Sequence, residues 1–260
     1  MPDARAPRHI ALAGADNFRD LGGYRAGSGA VAWGRLYRSG HLGRLTSEDV
    51  ARVARLGLRT VCDLRSPSER ADQASRLPPP PPTVIELPVD VPALDPGRVR
   101  RQLLGGGFPA GAIAATVRDS YRAYVTDFAA PFAGVLRTVA DRGRLPALIH
   151  CNGGKDRTGF AAMLVLLALG VPRETIVEDY LLTNHCTRWS TRRRAWLVYL
   201  ASRLKVRPGE MRGLLEARVP YLEAAFAAMV AGYGSVEAYL RDALGVTDEL
   251  RTRLRAALLE

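Results

Sequence analysis

A thiol and a guanidinium lie close together in His150-Cys151-Asn152-Gly153-Gly154-Lys155-Asp156-Arg157-Thr158-Gly159, where Cys151 opens a loop and Arg157 closes it after five intervening residues. A cysteine attacks as the thiolate, not the thiol. Lys155, Arg157 and the Thr158 hydroxyl are all groups that can favour the anion here. A guanidinium is a planar fork matching two oxygens of a phosphoryl group. Gly153 and Gly154 let the backbone curl so that successive N–H groups point inward as a nest for an anion. Asn152 and Lys155 add polar and cationic contacts for the same ligand. The chemistry these residues suit is in-line attack of sulfur on phosphorus, with the equatorial oxygens held by Arg157 and the loop amides.

Such a loop needs elements that present it. Leu145–Ile149 is a short apolar run that reads as a buried strand. Phe160–Leu169 is almost wholly apolar, lacks Pro and Gly, and reads as a buried helix. The loop therefore joins a strand end to a helix N-terminus, where free N–H groups and the positive end of the dipole face an anion. Thr60–Leu64 reads as a second strand, with Asp63-Leu64-Arg65-Ser66-Pro67 at its C-terminal end, the functional edge of an α/β sheet. Asp63 and Arg65 are either supports of the Cys151 loop or, with Glu69, a helix-entry ion pair. Val84–Val89 reads as a third strand, followed by Asp90. Helical stretches intervene: one capped by Thr46 and ended by Gly57, then Ala112–Asp127, Phe132–Asp141 and Pro172–Asn184. Strands separated by helices predict an α/β fold with a mostly parallel central sheet flanked by helices, in a single domain over 1–260.

The ten-residue loop sequence resembles the signature of the cysteine-dependent protein tyrosine phosphatase superfamily. Its H-C-x-x-G-K-D-R-T-G form is similar to that of a bacterial group of atypical tyrosine phosphatases. Asn17-Phe18-Arg19-Asp20-Leu21-Gly22-Gly23 and the D-L-R-S stretch at Asp63 resemble two further motifs of that group. The resemblance implies a phosphomonoesterase working through a phosphocysteine intermediate on phosphotyrosine, with phosphoserine/threonine and phosphoinositides as further substrates, and it implies no cofactor. No W-P-D motif is present to supply the usual general acid. Asp156, Asp90, Asp119 and Asp127 are the candidates, and Asp156 is preferred by resemblance and for its place beside Arg157; its other reading is a cap or a charge partner of Lys155. His150 reads as a core imidazole that orders the loop.

Residues 92–118 and 185–218 are least like the family and read as lid segments. The first is broken by Gly105-Gly106-Gly107, Pro109 and Gly111. The second is Arg-rich and carries Trp189 and Trp196. In the lid reading, 92–111 and 185–210 gate the pocket, with the two tryptophans closing over an apolar rim and Arg192, Arg193 and Arg194 meeting an acidic ligand. The plainer reading of that helix is one solvated Arg-rich face.

The formal charge of +11 would suit a nucleic-acid binder, but only two of the basic residues are lysines and the arginines are spread along the chain, so none is expected. A positive field still attracts phosphorylated substrates. Cys62, Cys151 and Cys186 make no disulfide framework, and Cys62 and Cys186 read as packing residues. No metal cluster appears and none is needed. Met1–Ala15 has no apolar signal core, and the run at 160–169 is too short to span a bilayer, so the expectation is a cytoplasmic protein without stable membrane insertion, export without a signal peptide remaining open. The alternatives to an enzyme are a phosphate-binding or pseudo-phosphatase interaction module, whose mark would be loss of Cys151, Arg157 or a loop glycine, and a rhodanese-like sulfur carrier, which the Lys-Asp-Arg-Thr-Gly ending argues against.

Overall fold

The computed structural model describes residues 8–94, 96–104, 111–202 and 211–260. In chain order its elements are β1 (Arg19–Asp20), β2 (Arg25–Ala26), β3 (Gly29–Ala30), β4 (Leu36–Ser39), α1 (Ser47–Ala54), β5 (Thr60–Asp63), α2 (Pro67–Asp72), β6 (Thr83–Glu86), α3 (Pro96–Leu104), α4 (Ala112–Thr126), α5 (Ala129–Val139), β7 (Ala147–His150), α6 (Arg157–Leu169), α7 (Arg173–Cys186), α8 (Arg188–Ala201), α9 (Arg212–Leu215), α10 (Val219–Tyr233), α11 (Val236–Ala238) and α12 (Asp248–Leu258). The main sheet runs β1-β4-β7-β5-β6, antiparallel only between β1 and β4. The mostly parallel α/β expectation holds. Helices cover both faces, as a parallel sheet requires.

The two-residue period of the strands sorts side chains between the faces. Leu36, Cys62, Ala147 and Ile149 join the larger core, with Phe132, Phe160 and Tyr124. Tyr37, Val61 and Leu148 face a smaller core, with Phe18, Leu42 and Val53. Helix α6 lies inside the larger core with nearly every residue buried, which is why its sequence is apolar all round. Gly170 ends it in the left-handed conformation. Cys62 packs against this core, and burial pushes its thiol up to about 12.

Two strand expectations shift. The run Val31–Arg38, whose sequence reads as a strand or a hairpin around Gly34, is neither: β2 and β3 pair as a small ribbon through Gly27, and β4 begins only at Leu36. The third strand stops at Glu86, but Leu87 and Val89 still donate to the Asp63 and Leu64 carbonyls, and the Val89 carbonyl accepts from Arg157. In the segment expected to form part of a lid, Ala112 onward is helix α4, whose Val117 and Tyr121 belong to the main core. The Gly105–Gly107 break and Pro109 lie outside the described residues.

Candidate active site

β7 and α6 deliver the Cys151–Arg157 loop to the C-terminal edge of the sheet, beside the end of β5. Cys151 is buried, and its Sγ accepts a hydrogen bond of 3.3 Å from the Gly154 N–H. The Thr158 hydroxyl, a candidate for this role, is buried and makes no hydrogen bond, so the contact to sulfur comes from the backbone nest. The two glycines differ. Gly154 has φ +66°, and a Cβ there would lie 2.4 Å from the Gly40 nitrogen. Gly153 has open space around its Cα. Only Gly154 needs to be glycine on steric grounds.

Arg157 is held by a residue that sequence reasoning weighed for another role. Glu69 forms the bidentate pair with it, at 2.6 Å to Nη1 and 2.7 Å to Nη2. Nη1 also donates to the carbonyls of Leu64 and Val89, each at 3.3 Å. A guanidinium has five N–H donors. Among the described residues the bonds occupy Nη1 and one hydrogen of Nη2, leaving the Nε–H and the second Nη2 hydrogen, an adjacent parallel pair, for a ligand. Burial opposes the Glu69 charge, but the Arg157 contact outweighs it and holds the carboxyl below its usual range. The same pairing raises the Arg157 guanidinium despite its own burial. Glu69 occupies this place because it is the N3 residue of the Ser66 capping box at the start of α2, where its carboxylate also accepts from the Ser66 N–H at 2.9 Å.

Asp63 and Arg65 therefore do not form an ion pair with Glu69. They pair with each other, Arg65 Nη2 donating to Asp63 at 2.7 Å, and Arg65 also donates to the Gln73 carbonyl and the Ser75 hydroxyl. His150 is fully buried between the two motifs: Nε2 lies 3.4 Å from Asp63 Oδ2 and Nδ1 lies 3.4 Å from the Cys151 carbonyl oxygen. Burial alone would raise Asp63, but His150 and Arg65 hold it well below the carboxylate range. The support reading of Asp63 is the one the contacts favour.

Asp156 sits at the N-cap position of α6 but makes no side-chain cap bond. Its Oδ1 accepts from Lys155 Nζ at 2.7 Å and from the Tyr121 hydroxyl at 3.1 Å. Tyr121 is in turn 2.8 Å from the Tyr180 hydroxyl. Burial and neighbouring acidic groups keep both phenols protonated far above pH 7. Both bonds fall on Oδ1, and among the described residues none is made by Oδ2. Lys155 also lies 5.3 Å from the Tyr221 ring centroid. Asp90 is exposed at the cleft edge; Asp119 pairs with Arg122 on the surface of α4.

The loop is fixed from behind by a buried network. The Gly154 carbonyl accepts from Asn17 Nδ2 at 2.8 Å and from Arg38 Nη2 at 3.0 Å. Asp179 accepts from Arg38 Nη1 at 2.6 Å, Arg19 Nε at 3.1 Å and the Tyr24 hydroxyl at 2.9 Å. Burial opposes the Asp179 charge, yet the two arginines hold the carboxyl well below its usual range. The Asn17-Phe18-Arg19 motif thus acts as a brace. Asp179 and Arg38 were not foreseen, although one signal existed: Asp179 lies with Ile176, Tyr180 and Thr183 on the buried stripe of α7, a place where an acid requires partners.

A cleft of about 690 Å³ opens over the loop. Cys151, Asn152, Gly153, Lys155, Asp156 and Arg157 form its floor; Leu94, Val99, Met211 and Leu214 form an apolar wall, and Thr191, Arg194 and Val198 of α8 form another. Val99 of α3 and Ala195 of α8 meet beside it in a small cluster with Met211, which precedes α9. One expectation is overturned here. Trp189, Trp196, Arg192 and Arg193 do not line the cleft; Trp189 and Trp196 are 71% and 57% exposed on the opposite face of α8. Of the three consecutive arginines only Arg194 reaches it, and it is paired with Asp16 at 2.9 Å.

The sequence profile of the tyrosine phosphatase family matches residues 10–260. A Cupriavidus necator protein named as a tyrosine-protein phosphatase is 39% identical over 234 residues, covering 88% of this chain and 82% of that one. The triple specificity protein phosphatase PtpB of Mycobacterium tuberculosis is 34% identical, covering 95% of this chain and 98% of its own. Among solved structures, Pseudomonas aeruginosa TpbA is similar at 19% identity with a TM-score of 0.31, over 59% of this chain and 71% of that one.

Proposed function

The chain belongs to the tyrosine phosphatase family, hydrolases that act on phosphotyrosine, and from that premise we propose that it cleaves phosphomonoesters through a phosphocysteine intermediate on Cys151. The observation that carries this reading is the geometry of Arg157: its Nη1 edge is fixed by Glu69 and two carbonyls, and its Nε/Nη2 edge is left to a ligand over the same cleft that holds Cys151.

In the first step the Cys151 thiolate attacks phosphorus in line. An S–P bond forms and the ester P–O bond breaks, its electron pair going to the leaving oxygen. That oxygen takes the proton from Asp156 Oδ2. In the second step the Asp156 carboxylate accepts a proton from water, the water oxygen bonds to phosphorus, and the S–P bond breaks to return the thiolate and free phosphate. Splitting one displacement into two is the gain of covalent catalysis. Stabilisation of the equatorial oxygens by Arg157 and the loop N–H groups is the larger electrostatic contribution. Lys155 and Tyr121 hold Asp156 in place, and Lys155 supplies a second cation at the rim of the phosphate site.

The substrate range extends past phosphotyrosine in this reading. The apolar walls leave room for a large leaving group, and the likeness to a phosphatase named for triple specificity favours a range wider than phosphotyrosine; phosphoserine/threonine and phosphoinositides are the further substrates in this reading. Helices α3 and α8 flank the pocket and act as its lid in this reading. Phosphate release from p-nitrophenyl phosphate, then from a panel of phosphopeptides and phosphoinositides, tests the range. Cys151→Ser should abolish turnover and retain vanadate binding, because the loop amides and Arg157 remain; appreciable turnover in that variant would rule out attack by this thiol. A phosphate-binding module without activity would bind vanadate and release nothing in any arm.

A further inference from the structure

Helix α8 presents two faces of opposite purpose. At about 100° per residue, Thr191, Arg194, Ala195 and Val198 fall on one side, and these are the residues that line the cleft or pack against Val99 and Met211. Trp189, Arg193, Trp196 and Leu200 recur at helical spacing on the other, with Arg192 and Leu197 flanking them. Trp189, Trp196, Leu197 and Leu200 are 71%, 57%, 57% and 62% exposed, and they account for four of the eight large hydrophobic side chains most open to solvent among the described residues. Arg192 and Arg193 are exposed in the same stripe. No Asp or Glu occurs anywhere in Arg188–Ala201.

We propose that this outward face of α8 docks the protein onto an anionic membrane surface. An exposed apolar stripe of this size marks an interaction site. Indole rings prefer the boundary between headgroups and acyl chains, where the apolar body is buried and the N–H stays wet. Arginines beside them, with no acid on the helix, complement the negative charge of that boundary and not the apolar surface of a folded partner. The net charge of +11 adds a long-range attraction of the same sign. The stripe lies back to back with the cleft wall, and Leu197 belongs to both, exposed and at the cleft rim. Docking therefore brings the pocket mouth to the headgroup layer without the helix spanning the bilayer. No helix among the described residues is long and apolar enough to cross a membrane.

The claim is independent of catalysis and is tested with the full chain and lipid that is no phosphomonoester. Vesicles of phosphatidylcholine, with and without a third of phosphatidylserine, are mixed with the protein and sedimented. The expected result is co-sedimentation with the anionic vesicles only, together with a blue shift of tryptophan emission. Arg192→Gln/Arg193→Gln should weaken binding by roughly 30-fold, at about 1 kcal/mol for each arginine near the surface. Trp189→Ala/Trp196→Ala should abolish both the binding and the shift. Both variants should release phosphate from p-nitrophenyl phosphate at the wild-type rate, since neither pair lines the cleft. If the tryptophan variant fails to fold, the arginine variant and the wild-type comparison decide alone. Absence of sedimentation, equal binding to neutral vesicles, or unchanged binding by the arginine variant would overturn the proposal. So would a concentration-dependent dimer that the tryptophan substitutions dissolve, because the stripe would then be an interface between copies. Failure of phosphate release in the wild type would sink the catalytic reading and leave the docking result standing.

Discussion

Glu69→Gln removes one charge and keeps the shape. In the wild type both carboxylate oxygens accept from Arg157, at 2.6 and 2.7 Å. Glutamine keeps one acceptor and turns an NH2 toward a guanidinium N–H, so one arm of the fork becomes donor against donor. Breaking one side of a fully buried ion pair costs about 3–5 kcal/mol. The side chains here are 16% and 8% exposed, so water relieves part of the loss. A cost of about 2–3 kcal/mol follows, or a fall in Tm of about 4–12 °C for a chain of this size. Arg157 would still carry its charge but lose its fixed Nη1 edge, and a misplacement of about 1 Å lowers rate by about 10²-fold. Steady-state release from p-nitrophenyl phosphate should show that loss in kcat/KM. The stability difference should also depend on pH. The Glu69 carboxyl titrates lower in the folded protein than its unfolded value of about 4.3. Its contribution is therefore complete above that pH and disappears as pH falls through the folded value. Melting curves of wild type and variant should lie furthest apart near neutral pH and converge in acid. A variant with wild-type kcat/KM, or a Tm gap that does not close in acid, would refute the role given to this pair.

Asp156→Asn should depress kcat more for poor leaving groups than for p-nitrophenol, by the about 10²–10⁴-fold that a placed acid is worth; if Asp90→Asn shows that pattern instead, the acid is Asp90. Gly154→Ala should abolish activity and binding of vanadate, because a Cβ 2.4 Å from the Gly40 nitrogen cannot fit, whereas Gly153→Ala should bind vanadate as the wild type does. Asp179→Asn should lower Tm sharply, since Arg19 and Arg38 would share a buried site without a counter-charge, at about 3–5 kcal/mol. For the lid, hydrogen exchange of α3 and α8 should slow on vanadate binding, and a chain with 98–108 replaced by a short Gly-Ser loop should lose activity to peroxide faster; no change in either would remove the lid.

Cys151, Arg157 and the elements that carry them were legible because they are contiguous: strand, loop and helix occupy Ala147–Leu169 without a break. What holds the loop was not legible for the opposite reason. Glu69 is 88 positions from Arg157, and Asn17 is 137 from Gly154. A capping-box glutamate has a complete local explanation, so nothing in its neighbourhood announces a second partner. The α8 tryptophans were misassigned because an amphipathic pattern says that two faces differ and not which of them turns inward. Here Ala195 and Val198, smaller and less conspicuous, form the inner face. For Val31–Arg38, read as a strand or a hairpin around Gly34, the hairpin lies earlier, in the β2–β3 ribbon turning at Gly27, and the strand starts only at Leu36.

In the proposed reading, the charges around Cys151 decide how the loop would hold an anion. Arg157 is neutralised by Glu69 and Arg65 by Asp63, and Lys155 is held against Asp156 at 2.7 Å. Behind the loop Arg19 and Arg38 share the single charge of Asp179, which leaves one net positive charge buried beneath Gly154. The paired cations contribute little diffuse field at the pocket floor. Attraction for a phosphoryl group there comes from directed donors: the loop N–H groups, the N-terminus of α6, and the open Nε/Nη2 edge of Arg157. Such donors work only when fixed, and this explains the investment in bracing. Asn17 and Arg38 grip the carbonyl of Gly154, whose own N–H points at the sulfur. A hydrogen bond on the Gly154 carbonyl holds the plane of the Gly154–Lys155 peptide, so the grip from behind fixes the position of the residue whose N–H meets Sγ. The N-terminal motif, far from the cleft in sequence and absent from its lining, thereby acts on the thiolate through one glycine.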